Sequence, residues 1–190
     1  MPDIPEIIET KRLYLRPYRD GDWVWYCRMS LKNKMHLQRY EAGNPVMYIN
    51  TVDDAKRTIL DFTSDWEKDR SYFLGAFLRD THEFVAQIYV GHSNRELPEF
   101  VIGYFVDVDH QGQGYVSEAV REVIKVLFEQ AGAQRLRLEC DDTNLASMRV
   151  AERCGMVKEG HLRENKHHPD GSFSGTCLYG ILRSEYQGHG

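Results

Sequence analysis

Residues 111–116 read QGQGYV and separate an apolar run, Phe100 to Val108, from an amphipathic segment that starts near Tyr115. The two glycines allow the backbone to approach a ligand closely, and the first N–H groups of a following helix point at whatever anion lies there. The helix dipole adds positive potential at the same place. This pattern favours a phosphate-binding turn between a strand and a helix, although many such turns are only tight connections.

Apolar spacing on both sides of this turn predicts the order of the elements. After the turn, four apolar residues recur at helical spacing from Val116 to Leu127, and that helix should end near Gly132. Before it, three strand-like runs separated by polar turns predict an antiparallel meander. These runs are Tyr72 to Leu78, Phe84 to Gly91 and Phe100 to Val108.

The remaining segments complete the predicted architecture. A short strand at Leu13 and Leu15 is followed by a helix from Trp23 to about Leu37 and a second helix after Thr51. The later segments are a strand from Gln134 to Cys140, a short helix from Asn144 to Cys154, and strands at Met156 to Gly160 and within Phe173 to Tyr186. The sequence therefore predicts an α/β protein with a mixed, mostly antiparallel central sheet flanked by helices on both faces, in a single domain over residues 1–190.

Composition excludes several classes of function. The 190 residues are 42% hydrophobic, and 29 acidic against 24 basic residues give a net charge of −5, so we expect no nucleic-acid partner. The four cysteines, Cys27, Cys140, Cys154 and Cys177, are widely spaced and favour reduced thiols, without a zinc site. No apolar run is long enough for a membrane span and no leader is evident, so we expect a cytoplasmic protein with no metal and no membrane partner.

Two other classes of phosphate site are disfavoured. A dinucleotide fold would alternate strand and helix throughout and carry Gly-x-Gly-x-x-Gly, and neither feature is present. A P-loop would place Lys and Ser or Thr after its last glycine, but here the glycine is followed by Tyr115.

Several segments together resemble the GNAT family of N-acetyltransferases, in particular its branch of ribosomal-protein N-terminal acetyltransferases. The resemblance covers nearly the whole chain. Its segments are TKRLYLRP at 10–17, IGYFVD at 102–107, HQGQGYVSEA at 110–119, NLAS at 144–147, RVAERCGM at 149–156 and EGHLR at 159–163. The family's pyrophosphate motif matches at Gln111 and Gly114, whereas Val116 stands where relatives carry glycine or alanine.

This resemblance implies a binding mode for acetyl-CoA as cosubstrate. The central strand would carry a bulge and splay from its neighbour, so that its open edge pairs with the pantetheine arm, while the glycine turn binds the pyrophosphate. Asn144 would contact the cofactor arm, or it would serve only as a helix N-cap. The implied cofactor-binding residues are Phe105, Val106, Asp107, Val108, Gln111, Gly112, Gln113, Gly114, Tyr115, Val116, Ser117 and Asn144.

The resemblance also implies direct transfer to a primary amine, which requires a base, an oxyanion donor and an acid. The N–H of Val106 is the candidate oxyanion donor. Many relatives use a tyrosine seven residues after the asparagine as the acid, but that residue is Ala151, so Ser147, three residues after the asparagine, is the candidate. The candidate bases are carboxylates at Glu99, Asp107 and Glu164.

The acceptor stays open at this stage. It is either a protein N-terminal α-amine or a small amine, and some family members pair, so a homodimer is possible. In the family, the first two helices and the loop between them, here about Arg39 to Met47, lie over the acceptor. Because the usual tyrosine and a central-strand glutamate are missing, the alternative is a non-catalytic acyl-CoA-binding module.

Overall fold

A computed structural model of the protein describes residues 4–94, 96–168 and 170–186. The helices in these ranges are α1 (Trp23–Leu37), α2 (Val52–Glu67), α3 (Tyr115–Glu129) and α4 (Leu145–Arg153), with 3-10 helices at Pro45–Tyr48 and Val108–His110. The strands are β1 (Ile8–Glu9), β2 (Leu13–Pro17), β3 (Ser71–Leu78), β4 (Phe84–Asn94), β5 (Glu99–Val106), β6 (Arg135–Asp141), β7 (Val157–His167) and β8 (Phe173–Leu182).

All of these strands form one sheet in the order β1-β2-β3-β4-β5-β6-β8-β7. The meander of β3, β4 and β5 is antiparallel, as predicted, and β5 pairs with β6 in parallel through the crossover helix α3. The other described pairs are antiparallel. The predicted mixed, mostly antiparallel sheet is confirmed.

The helices cover both faces of the sheet and create two hydrophobic cores. On one face, the apolar stripe of α3, including Val120 and Leu127, packs with sheet residues such as Ile102 and Leu136. On the other face, α1 and α2 contribute an aromatic core that also contains Phe105. Alternation along β5 therefore directs neighbouring residues into different cores, which fixes the orientation of this strand.

The sheet opens between β5 and β6. Their parallel pairing covers only the first residues of β5, Glu99 to Val101 opposite Arg135 to Arg137. Beyond that point the two strands diverge, as the family resemblance implied. The bulge expected in β5 lies elsewhere, because the register shift between β4 and β5 falls between His92 and Asn94 of β4.

Some local elements differ from the sequence prediction. Strand β1 was not predicted, since two residues carry too little periodicity to detect. Strand β7 continues to His167 instead of ending at Gly160, and Val108 belongs to a 3-10 helix rather than to β5. No helix in residues 4–94, 96–168 or 170–186 combines the length and apolarity needed to cross a bilayer.

Candidate active site

A cleft of about 420 Å³ lies where β5 and β6 separate. Its walls come from the end of β5, the start of α3, the exposed side of α4 and the segment after α1. The lining residues from the first two of these are Tyr104, Phe105, Val106, His110, Gln111, Gly112, Gly114, Tyr115, Val116 and Ser117. The others include His36, Leu37, Tyr40, Glu41, Asn144, Ser147, Arg149 and Arg153.

The start of α3 presents unpaired donors to this cleft. Gly112 and Gly114 adopt φ angles of +73° and +79°, the left-handed region that glycine enters without strain. The first intrahelical bond at this end runs from the Glu118 N–H to the Gly114 carbonyl, at 3.1 Å. Within the described part of the chain, the N–H groups of residues 112–117 therefore have no protein acceptor, as expected for a helix N-terminus.

Arg12 stabilises this turn through contacts with Gln113, Tyr115 and Glu118. Its guanidinium donates to the Gln113 carbonyl at 3.1 Å and to the Glu118 carboxylate at 2.7 Å, and it lies 4.5 Å from the Tyr115 ring centroid. Gln113 contacts Arg12 through its backbone carbonyl and does not line the cleft. These contacts fix the backbone of the glycine turn in the absence of a ligand.

Fewer backbone N–H groups at the end of β5 are free to pair with a ligand than the family resemblance implied. The Asp107 N–H donates to the Val85 carbonyl of β4 at 2.9 Å, and the Val108 N–H donates to Asn33 Oδ1 at 2.8 Å. Because N–H groups alternate between the two edges of a strand, Val106 directs its N–H toward the gap beside β6. Of the four residues proposed to pair with a ligand, Phe105 and Val106 line the cleft, whereas Asp107 and Val108 do not.

Helix α4 places Asn144 and Ser147 on the opposite wall. The Asn144 side chain accepts from the Ser147 N–H at 3.1 Å, so it does cap the helix. Its side-chain amide still faces the cleft and can donate to a ligand. Ser147 Oγ lies 2.8 Å from the Tyr104 hydroxyl, and burial raises the pKa of Tyr104, which keeps that hydroxyl protonated.

Asp107 is buried and does not line the cleft. It accepts hydrogen bonds from Lys32 and Asn33, each at 2.8 Å, and from the Asp109 N–H at 3.1 Å. Burial opposes ionisation, but the bonds from Asn33 and Lys32 outweigh it and hold the pKa of Asp107 below its ordinary value. A carboxylate so strongly stabilised as an anion is poorly suited to accept a proton at neutral pH.

The other two carboxylates predicted as bases lie away from this cleft. Glu99 is at the start of β5, about 23 Å from Val106 at roughly 3.3 Å per residue, and it pairs with Arg135 at 2.8 Å. Glu164 lies on β7, in a bulged part of the outermost strand, with a φ of +49°. Among the described residues, no group of at least three His, Cys, Asp or Glu side chains is arranged to hold a metal.

Comparison with known proteins agrees with this geometry. Residues 12–157, well over half of the chain, match the family described as acetyltransferase (GNAT) domain. The chain belongs to the GNAT family of N-acetyltransferases. The sequence-based assignment of family, fold and enzyme class is thus confirmed.

Several relatives of this GNAT protein are similar over most of their length. The probable N-acetyltransferase YjcK of Bacillus subtilis is 29% identical over 160 residues, which cover 84% of this chain and 88% of the relative. The ribosomal-protein-serine acetyltransferase of Escherichia coli is 26% identical, over 70% of this chain and 72% of the relative. The structure of Mycobacterium smegmatis RimJ in complex with CoA-disulfide superposes with a TM-score of 0.84 at 23% identity, covering 97% of this chain and 90% of that one.

Sequence reasoning missed one carboxylate in the cleft of this GNAT protein. Glu41 lies in the segment after α1 and lines the cleft. Burial raises the pKa of Glu41 to about 7, although the side chain of Asn44 and the charge of Lys166 act in the opposite direction. The family resemblance implied that this segment lies over the acceptor, but nothing in its polar composition distinguished Glu41 from its neighbours.

Proposed function

We propose that this protein transfers the acetyl group of acetyl-CoA directly to a primary amine, either the N-terminal α-amine of a protein or a small amine. The observation that carries this proposal is the cleft in which the open N–H of Val106 and the free N–H groups at the start of α3 face the same space. A strand edge suits the amide-bearing pantetheine arm, and a helix N-terminus suits a pyrophosphate.

The residues present fit this cosubstrate. Backbone donors of Gly112, Gly114 and Ser117 would hold the pyrophosphate, and the side-chain amide of Asn144 would hold the arm. Val116 does not interfere, because its side chain is only 8% exposed and packs into the core below α3. The exposed cations Arg149 and Arg153 add positive charge to the same rim.

Two groups beside the end of β5 suit the chemistry of acyl transfer. The Val106 N–H can stabilise the oxyanion that forms when an amine attacks the thioester carbonyl. Ser147 can give its hydroxyl proton to the departing sulfur, and Tyr104 positions it, because the Tyr104 hydroxyl donates to the Ser147 carbonyl at 3.1 Å and lies 2.8 Å from Ser147 Oγ. In this arrangement Ser147 and Tyr104 supply the function of the tyrosine that is missing at Ala151.

Relatives support an amine acceptor without fixing which one. The Escherichia coli relative is named for transfer to a ribosomal protein, whereas the name of the Bacillus subtilis relative specifies no acceptor. The test therefore uses a panel of peptides with free N-terminal serine or alanine, the same peptides blocked at the α-amine, and small primary amines.

The decisive experiment combines calorimetry with a transfer assay. We expect wild-type protein to bind acetyl-CoA and to release CoA only with an unblocked amine. Ser147→Ala should reduce turnover by about 100-fold, the usual contribution of general acid–base catalysis, with little change in acetyl-CoA affinity. Ser184→Ala, an exposed serine in the turn after β8, is the control and should behave as wild type.

Other outcomes separate the alternatives. Binding of acetyl-CoA with no transfer to any amine of the panel would favour a non-catalytic acyl-CoA-binding module. Failure of the folded protein to bind acetyl-CoA would overturn both readings of the cleft. Full activity in Ser147→Ala would leave the transferase intact and remove Ser147 from the mechanism.

A further inference from the structure

Glu41 is held in place by contacts on both sides of its backbone. Its N–H donates to the Leu37 carbonyl at 2.8 Å, which continues the last turn of α1, and its carbonyl accepts from the Asn44 N–H at 2.9 Å. The Asn44 side chain also donates to Glu41 Oε2, at 3.2 Å, while its own Oδ1 caps the following 3-10 helix. The carboxyl is therefore positioned by a folded turn rather than by a loose loop.

The neighbouring residue ties this turn to the opposite wall of the cleft. The Tyr40 hydroxyl donates to the Thr143 carbonyl at 3.4 Å and accepts from Thr143 Oγ1 at 3.3 Å. Thr143 directly precedes Asn144, the cap of α4. The turn that carries Glu41 is thus joined to the helix that carries Ser147, and both side chains line one space.

The charged and titratable groups around Glu41 come from several elements. Lys166 of β7 is near enough to influence its ionisation, and the charge of Glu41 in turn contributes to the raised pKa of Tyr104 on β5, after burial. His36 of α1, His110 after β5 and Arg149 of α4 line other parts of the cleft. His110 is already engaged, with Nδ1 lying 3.1 Å from Asp107.

We propose that Glu41 is the general base that removes a proton from the acceptor ammonium. This inference rests on the proposed function, since it assigns a role within the same cleft. Glu41 is the carboxylate that lines the described cleft, whereas Glu99, Asp107 and Glu164 lie outside its lining. Glu41 also faces the wall that carries Ser147, so an amine between them would have a proton acceptor on one side and a donor on the other.

The protons balance in this scheme. The ammonium gives one proton to the Glu41 carboxylate, and Glu41 later releases it to water. The free amine then forms the new C–N bond to the acetyl carbon, and the C–S bond breaks. The departing sulfur takes a proton from Ser147, and the second proton of the nitrogen restores the Ser147 hydroxyl, so the products are an amide, a thiol and one proton in solution.

The kinetic test compares Glu41→Gln with wild type on the panel amine that wild type acetylates fastest. We expect the substitution to lower kcat about 100-fold while KM for acetyl-CoA stays within twofold. The acidic limb of the kcat profile that belongs to Glu41 should disappear, leaving only the titration of the amine itself. Glu67→Gln, an exposed glutamate at the end of α2, is the matched control and should keep the wild-type profile.

A second measurement does not depend on turnover. The side-chain carboxyl carbons of glutamate are labelled with carbon-13, and the signal lost in Glu41→Gln assigns Glu41. We expect this carboxyl to titrate near neutral pH. A Glu41 signal that titrates like an exposed glutamate would overturn the inference, even if no amine of the panel is acetylated.

The two proposals fail differently. If acetyl-CoA binds and wild type acetylates an amine, but Glu41→Gln keeps full kcat and an unchanged pH profile, Glu41 is not the base and the transferase stands. If acetyl-CoA does not bind, the proposed function itself fails, whatever the titration shows.

Discussion

Glu41 places an ionisable carboxyl where it is partly removed from water, and this position has a stability cost. The folded state raises the pKa of Glu41 from 4.5 to about 7, so the folded protein holds this proton more tightly than the unfolded chain does. Stability associated with the protonated group is present below about pH 4.5 and is lost as pH rises toward 7. The carboxyl best suited to accept a proton thus weakens the fold at the pH where it works.

The corresponding prediction concerns Glu41→Gln. At pH 8 this variant should be more stable than wild type by about 1 to 3 kcal/mol, since about 1.4 kcal/mol corresponds to each unit of the pKa difference. At pH 4.5 the two proteins should be nearly equally stable. Denaturant unfolding at several pH values measures the difference, and Glu67→Gln provides the baseline for a surface substitution. A constant difference across this range would contradict the assigned ionisation.

At the residue scale, the positions of candidate site residues could be predicted best where the residues lie close together on one helix or strand. The family resemblance implied both Asn144 and Ser147, and their spacing of three residues at the start of a short helix places them on one wall. Glu41 could not be found in this way, because its position depends on the turn after α1 contacting Thr143, about a hundred residues later. The length of the open edge of β5 was overestimated for a similar reason, since the Val108 N–H donates to the side chain of Asn33 in α1, a contact between residues far apart in sequence.

At the scale of elements, the connection from β5 to α3 is defined by two left-handed glycines and an apolar helical stripe. Both features are local, and the sequence predicted them. The separation of β5 from β6 was known only through the family resemblance, since strand pairing is set by contacts across the sheet. The length of β7 was underestimated, because most of its side chains are exposed and give no hydrophobic alternation.

The turn before α3 allows a matched test of its role. Gly114 and Gly132 have φ angles of +79° and +72°, and an added Cβ would meet no atom closer than 3.6 Å at either residue. Alanine at each should therefore cost about 1 kcal/mol of folding stability through backbone strain alone. Only Gly114→Ala should also weaken acetyl-CoA binding, by about tenfold, which corresponds to losing one good hydrogen bond to a charged group.

Calorimetry and thermal unfolding on the same samples measure both effects of the glycine substitutions. Gly132 lies after the far end of α3, so its variant is a control for strain without a change at the cleft. Equal loss of acetyl-CoA affinity in the two variants would mean that general destabilisation, rather than the geometry of the turn, explains the effect.

At the scale of the whole molecule, the cleft lies where the two cores meet. Asp107 follows the last residue of β5 and joins elements from both faces of the sheet. Lys32 and Asn33 of α1 donate to it from one face, and His110, which leads into the glycine turn, contacts it at 3.1 Å. These contacts of Asp107 set how α1 and its following turn lie relative to the N-terminus of α3.

Loss of the Asp107 charge should therefore affect folding and binding together. Asp107→Asn should lower stability at pH 7 by about 2 to 4 kcal/mol, because buried donors lose a charged acceptor. The folded state lowers the pKa of Asp107 below 3.8, so its contribution is present above that pH and is lost as pH falls through the lower folded value. The difference between variant and wild type should accordingly shrink in acid.

Asp109→Asn is the natural control, because Asp109 contacts the same Lys32 ammonium at 2.7 Å but its side chain is 67% exposed. An exposed ion pair of this kind should contribute about 0.5 kcal/mol at most. Denaturant unfolding at pH 7 and at several pH values below 3.8 separates the two aspartates, and calorimetry shows whether acetyl-CoA affinity falls only in Asp107→Asn. If both variants lost the same small amount of stability, Asp107 would be an ordinary ion pair, and the cleft would owe its shape to the two hydrophobic cores alone.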